Sequence, residues 1–188
     1  MSSGLVLPPG GGQVVPRAGM TLKVGAGSSG VWSVFEAEVA PGFDVGAHQH
    51  RHAEELFYVL EGELDLLAFE PEVLTAGSWS NWVSNDGTKV ARGSPGATMY
   101  VPPGCPHAFA NPGPAPARML FMVSPPGHEL YLSELAELLA SAPVPDQEAV
   151  KQLRARHDIE QLTPLVPGHT GLPRVAPPGS LPAAGAGR

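Results

Sequence analysis

Three histidines stand at alternate positions, His48, His50 and His52, in the stretch GFDVGAHQHRHAEELFYVLEGE, and Glu54 and Glu55 follow them. In a β-strand, residues i and i+2 share a face. His48 and His50 on a strand therefore project two imidazoles together and turn Gln49 away. Two adjacent imidazoles repel when protonated, and are favourable when both donate a lone pair to one metal ion. The motif is short, and taken alone it describes a histidine-rich surface strand equally well. A carboxylate could complete such a site, because a buried carboxylate needs a partner and a metal would be one. One alternating set after the histidines is Glu55, Phe57, Val59, and the other is Glu54, Leu56, Tyr58, Leu60. Both are mostly apolar, so periodicity leaves open which glutamate turns inward. A further donor is offered by GATMYVPPGCPHAFAN, where His107 follows a Pro/Gly turn and opens the segment HAFAN with Phe109 on its own face. Alone, His107 reads as well as a hydrogen-bonded core histidine.

These residues lie among short segments rich in Val and aromatics and bounded by Gly and Pro: MTLKV, VWSVFEAEVA, ELFYVLEGELDLLAF, TMYVP, HAFAN and ARMLFMV. The third is two apolar runs split at Glu61-Gly62, a hairpin signal. At least seven short strands predict an all-β sandwich or barrel over residues 20–125. Residues 70–95 form a long insertion carrying Trp79 and Trp82. It reads as a solvent-side hairpin turning at NDGT in preference to a flap that lays a tryptophan over a substrate. Beyond Val123 the period changes. Tyr131, Leu135, Leu138 and Leu139 recur at helical spacing, and a second helix is expected from Pro145, with Asp146 and Glu148 in its first turn, Val150 and Leu153 on one face, and an end near His157. These helices, within 126–163, are expected to pack outside the β domain or on a partner subunit and to be poor candidates for a site. Residues 1–19 read as a flexible Gly/Pro-rich arm, and 164–188 as a disordered tail.

Composition narrows the function classes. The chain has 188 residues, 43% hydrophobic, with a net charge of -7. That length supports one domain with a sizeable core. The acidic balance argues against nucleic acid, whose phosphates call for clustered Lys and Arg. No apolar run is long enough to cross a bilayer, and the N-terminus lacks the pattern of a signal peptide. A single cysteine, Cys105, forms no internal disulfide, which agrees with a reducing, cytoplasmic setting.

Two complete patterns carry a family resemblance. The first reads Gly42, five residues, His48, one, His50, four, Glu55, six, Gly62; the second reads Gly96, five residues, Pro102, one, Gly104, two, His107, three, Asn111. Together they resemble the two conserved motifs of the cupin superfamily, without a departure in spacing. The resemblance covers roughly residues 43–123. It selects the carboxylate, since only Glu55 stands six residues before a glycine. It implies a double-stranded β-helix, or jelly-roll barrel, with C-terminal α-helices, and one divalent first-row metal held by His48, His50, Glu55 and His107. Fe, Mn, Ni, Co, Cu and Zn all suit three nitrogens and one carboxylate oxygen. Octahedral coordination would leave two positions for water, dioxygen or substrate.

The same wording most resembles quercetin dioxygenase-like single-domain cupins. It implies a small-molecule dioxygenase acting on a hydroxylated aromatic or polyketide-like substrate, with Glu55 accepting the substrate proton as the catalytic base. Phe57, Phe109, Met119 and Phe121 are candidates for an apolar pocket wall, or for plain core. A non-oxidative polyketide cyclase or isomerase, using Glu55 or His52 as acid/base, is the second reading, and a metal-binding module without turnover the third. His52 is an addition to the family pattern and fits the turn before Glu55 better than a ligand role. Cys105 fits a small buried thiol. A homodimer is expected through sheet edges, which such folds protect, or through the helices.

Overall fold

A computed structural model describes residues 4–141 and 146–168. Two antiparallel sheets enclose one core. Eleven strands run β1 (Gln13–Val15), β2 (Met20–Val24), β3 (Ser33–Val39), β4 (His48–Gln49), β5 (Glu54–Glu61), β6 (Leu64–Ala68), β7 (Ala91–Gly93), β8 (Thr98–Val101), β9 (His107–Ala110), β10 (Ala117–Ser124) and β11 (Glu160–Gln161). Helices α1 (His128–Ala140) and α2 (Gln147–Arg156) lie between β10 and β11. One sheet has the order β1-β2-β3-β10-β5-β8, the other β11-β4-β9-β6-β7. Neighbours in each sheet are mostly distant in sequence, so the two sheets interleave along the chain as a double-stranded β-helix.

Alternation decides what fills the interior. In β10, Ala117, Met119, Phe121 and Val123 are buried while the residues between them are not. In β3 the buried set is Ser33, Phe35, Ala37 and Val39, and in β5 it is Glu55, Phe57 and Val59. Phe121 stacks on Phe35 and Phe57, with ring centroids 5.4 and 4.9 Å away, and Phe57 meets Phe109 of the other sheet at 5.7 Å. Each fully buried Phe contributes about 1.5–3 kcal/mol, and these rings tie the two sheets together directly above the ligand layer.

The opposite face of the five-stranded sheet has its own cover. Ala47, Leu67 and Ala108, which alternate with the inward residues His48, Leu66, His107 and Phe109, form a second cluster with Trp79 and Trp82. Trp79 Nε1–H donates to Asp44 Oδ1 at 2.8 Å, and Trp82 Nε1–H to Thr75 Oγ1 at 2.8 Å. Residues 70–95 therefore fold back over the outside of the barrel, away from its interior. Within them Val83 bridges Lys89, and Gly87 turns the chain with its N–H on Ser84 O and φ 87°.

Both ends of the barrel sequence extend further than expected. The segment read as a flexible arm supplies β1, which pairs with β2 and buries Val15 in the core. Val14 points outward and Val15 inward, so two apolar residues suffice for an edge strand inside a Gly/Pro-rich context. On the other side β11 pairs with β4, and Val166 exchanges both backbone hydrogen bonds with Asp44. The tail expected over 164–188 thus begins on the sheet, and its residues 169–188 lie outside the described residues. Helix α2 begins at Gln147, two residues later than the sequence suggested: Asp146 is the N-cap, its carboxylate accepting from the N–H groups of Glu148 and Ala149. Pro145 lies outside the described residues. Val150 and Leu153 are buried as expected, whereas α1 buries Tyr131 and Leu132 and packs Leu135 and Leu138 against the core.

Candidate metal centre

The two sheets bring four side chains to one point. His48 sits on β4 directly opposite His107 on β9, and His50 follows at the end of β4. Glu55 enters from β5 in the facing sheet. His107 is fully buried, and Glu55, His50 and His48 retain only 2%, 3% and 9% exposure. Their candidate ligand atoms all lie within 4.8 Å of one another.

Each ring is aimed by its other nitrogen. His48 Nδ1 lies 2.9 Å from Gly46 O, His50 Nδ1 2.9 Å from Asp158 O, and His107 Nδ1 3.1 Å from Cys105 O. A backbone carbonyl can only accept, so Nδ1–H donates in all three and Nε2 carries the lone pair toward the centre. There Glu55 Oε1 approaches His50 Nε2 at 3.2 Å, and Oε2 approaches His107 Nε2 at 2.8 Å. Even so, His50 Nε2, His107 Nε2 and Glu55 Oε2 are buried without hydrogen-bond geometry to any partner. Unsatisfied buried polar atoms cost about 1–3 kcal/mol each. Three inward lone pairs and one carboxylate are a donor set that a divalent cation satisfies, and the residues fit such an ion.

For Glu55 and His48 the electrostatics agree with ligation. Burial pushes the Glu55 carboxyl up, but His107 and His50 together hold it well below the usual carboxylate range. Burial pushes His50 down, and its contact with Glu55 more than offsets this, leaving it raised. His48 is driven well below the ordinary histidine value by burial and by His107. An ionised carboxylate beside a neutral His48 is the protonation state that ligation requires.

The other sequence candidates fall in distinct places. His52 is outside the cluster, its side chain 81% exposed and its Nδ1 3.2 Å from Asp158 Oδ2. Cys105 is half-buried, and burial raises its thiol pKa; its contribution is the carbonyl that orients His107. Gly104 turns with φ 80° and donates its N–H to His50 O. Asn111 is buried behind the site, with Nδ2–H on Val39 O and Ala115 O and Oδ1 accepting from Gly113 N–H. Phe57, Phe109, Met119 and Phe121 are buried in the main core.

A cavity of about 320 Å³ lies beside the cluster, and His50 is the one cluster residue among its lining residues. None of Phe57, Phe109, Met119 and Phe121 lines it; its walls come from His52, Ala53 and the turn into α1, including Pro125, His128 and Tyr131. The start of α1, in a segment expected to be a poor candidate for a site, thus borders this cavity. The first residue of α1, His128, stands edge-on to His50 at 6.4 Å between ring centroids and to Phe121 at 5.2 Å. Burial lowers its pKa to about 4. Nothing in the sequence pattern singled it out, since its neighbours read as an ordinary amphipathic helix.

A double-stranded β-helix with a 3-His/1-Glu cluster between its sheets defines a class of metal-binding barrel. The family model described as Cupin matches residues 8–150, and the chain belongs to that family. An uncharacterized protein of Methanocaldococcus jannaschii is 32% identical over 107 residues, covering 57% of this chain and 68% of the relative. Among solved structures, similar folds are found in an uncharacterized protein with a double-stranded β-helix domain from Klebsiella pneumoniae (18% identity, TM-score 0.43, 57% of this chain and 76% of that one). Another is a sugar phosphate isomerase of the cupin superfamily from Silicibacter pomeroyi (23%, 0.42, 56% and 59%). These structural likenesses concern the fold. No helix among the described residues is long and apolar enough to cross a membrane.

Proposed function

We propose that the protein is a metal-dependent enzyme acting on a small hydroxylated aromatic or polyketide-like molecule, and that the reaction is a dioxygenation. One observation carries the reading: four buried ligand-type side chains converge, and His50 Nε2, His107 Nε2 and Glu55 Oε2 among them lack hydrogen-bond geometry to any partner among the described residues. A divalent first-row metal held by His48, His50, Glu55 and His107 would supply Lewis acidity toward a substrate hydroxyl and, if redox-active, reactivity toward dioxygen.

The chain's own residues do the rest. The three Nδ1–H bonds to backbone carbonyls fix the imidazoles before any ligand arrives. Glu55, held ionised at neutral pH, would accept the hydroxyl proton. The stacked Phe35, Phe57 and Phe121 above the cluster keep water out of the barrel interior. The cavity beside His50 admits a small molecule and little more.

The test is metal analysis of protein purified without chelator, followed by oxygen uptake with flavonol and catechol substrates. Stoichiometric metal with oxygen consumption is the expected result. Turnover that continues under nitrogen would replace dioxygenation by a non-oxidative cyclase or isomerase reaction on the same metal. Metal without turnover on any such substrate would reduce the site to a binding module.

A further inference from the structure

We infer that His128 is the residue that contacts the ligand in the cavity beside the metal centre, where its imidazole hydrogen-bonds a second oxygen of a hydroxylated aromatic molecule. The inference rests on the proposed function and extends it to the group that selects the substrate.

Four histidines line the cavity: His50, His52, His128 and His157. Three already spend a ring nitrogen on the protein. His50 Nδ1 is bound to Asp158 O, His52 Nδ1 to Asp158 Oδ2, and His157 Nε2 pairs with Glu134 Oε1 at 3.2 Å. Among the described residues, His128 makes ring contacts to Phe35, His50, Phe121 and Tyr131, and its side chain forms no hydrogen bond to them. An imidazole always carries two polar nitrogens. Packing between aromatic rings would be served as well by Phe, so the nitrogens are left for whatever occupies the cavity.

The ring is also held in place. Gly127, with φ 126°, reverses the chain before it. Glu129, immediately after, accepts from Ala26 N–H at 2.7 Å and from Ser33 Oγ–H at 2.5 Å. Both anchors fasten the first turn of α1 to the barrel. A preorganised polar group loses little on binding. At about 320 Å³ the cavity is near the small end of ligand pockets, which suits a molecule of one or two rings. Tyr131 and His157 offer ring faces, and Pro125 and Pro126 an apolar edge. A catechol-like ligand could meet the metal with one oxygen and His128 with the other.

The experiment uses the full chain loaded with Co²⁺ and titrated with catechol, read by the visible absorption of the cobalt. Wild type, His128→Phe and His128→Gln are compared, with cobalt stoichiometry and thermal stability measured on each. Losing one hydrogen bond predicts that His128→Phe binds catechol about 10-fold more weakly, equivalent to about 1.4 kcal/mol, with cobalt content unchanged. His128→Gln, which keeps a donor and an acceptor, should restore most of that affinity. Equal catechol affinity in wild type and His128→Phe would overturn the inference alone. So would a loss in both variants, which indicates a role of ring shape, or loss of cobalt from both, which indicates a metal ligand. Cobalt-loaded wild type that ignores catechol altogether would remove the proposed function and this inference with it.

Discussion

Replacing Glu55 by Gln separates a ligand from a catalytic base. The substitution keeps the shape of a side chain that is 2% exposed and removes its charge. The new amide can turn its N–H toward His107 Nε2, 2.8 Å from the present Oε2, and that nitrogen carries a lone pair. The fold should therefore tolerate the change, with unfolding free energy within about 1 kcal/mol of wild type, the size of one ordinary hydrogen bond. Metal affinity should fall because an anionic donor is lost and an imidazole lone pair gains a competitor. Three oriented Nε2 atoms remain, so metal supplied in large excess over its dissociation constant should still load. Turnover should fall by about 10²–10⁴-fold, the loss typical of a missing general base, or about 3–5 kcal/mol of barrier. Metal content and turnover are measured on one preparation, with the thermal midpoint as a control. If activity per bound metal survives, Glu55 is a ligand and not a proton acceptor. Unchanged metal affinity with full turnover would refute both roles.

Other perturbations test the frame around the site. Asn111→Ala strips one buried and two part-buried hydrogen bonds and should cost about 3 kcal/mol, lowering Tm by roughly 6–12 °C for a chain of this size; an unchanged Tm would show that the turn holds without it. Glu129 is pushed up by burial and held below its ordinary value by Ser33 and the Ala26 N–H. Its contribution is therefore complete above the ordinary glutamate pKa of about 4.3 and is lost as pH falls through its lowered value. Glu129→Gln should destabilise the protein by about 1–2 kcal/mol at pH 7, with the gap to wild type closing in acid denaturation profiles below pH 4. Chelation should lower the stability of metal-loaded protein by about 4 kcal/mol where free metal had stood near 1,000 times its Kd, and a melting curve unaffected by chelator would argue against a resident ion. A homodimer is proposed through the β8 edge, where Tyr58 and Tyr100 are 39% and 54% exposed on adjacent strands; light scattering that reports a monomer throughout the micromolar range would dismiss it.

The histidines of the cluster were legible because strand alternation and fixed spacing both point to them. The choice between the glutamates was not legible in the alternation and came from the motif spacing alone. Glu55, Phe57 and Val59 do turn inward, but Leu56 and Leu60 on the other face are themselves half-buried, so the outer face of β5 imitates a second core. The solvent-side hairpin of residues 70–95 was readable, but the burial of Trp79 and Trp82 was not, because their partners Ala47, Leu67 and Ala108 lie on strands whose inward residues are equally apolar. β1 was hidden by its Gly/Pro-rich surroundings, which say nothing of a partner strand. His128 was invisible for a different reason: its environment comes from β3, β10 and the end of β4, and no local pattern encodes it.

The same long-range dependence reaches the metal ligands. The family motifs supply the four donors, yet the Nδ1 of His50 is oriented by the carbonyl of Asp158, 108 residues further along. That carbonyl is placed by the end of α2 and by β11, whose pairing with β4 runs from Glu160 to Gln49 and from Gln161 to His48. The carboxylate of Asp158 in turn accepts from His52 N–H at 2.8 Å, fixing the turn between His50 and Glu55. Ala47, next to His48, donates its N–H to Thr163 Oγ1 and accepts from Leu162 N–H. A ligand that rotates about χ1 and χ2 loses its aim unless its second nitrogen is held. The segment after the barrel motifs is thus tied to the cluster: the Asp158 carbonyl accepts from His50 Nδ1–H, and His128 lines the cavity beside His50.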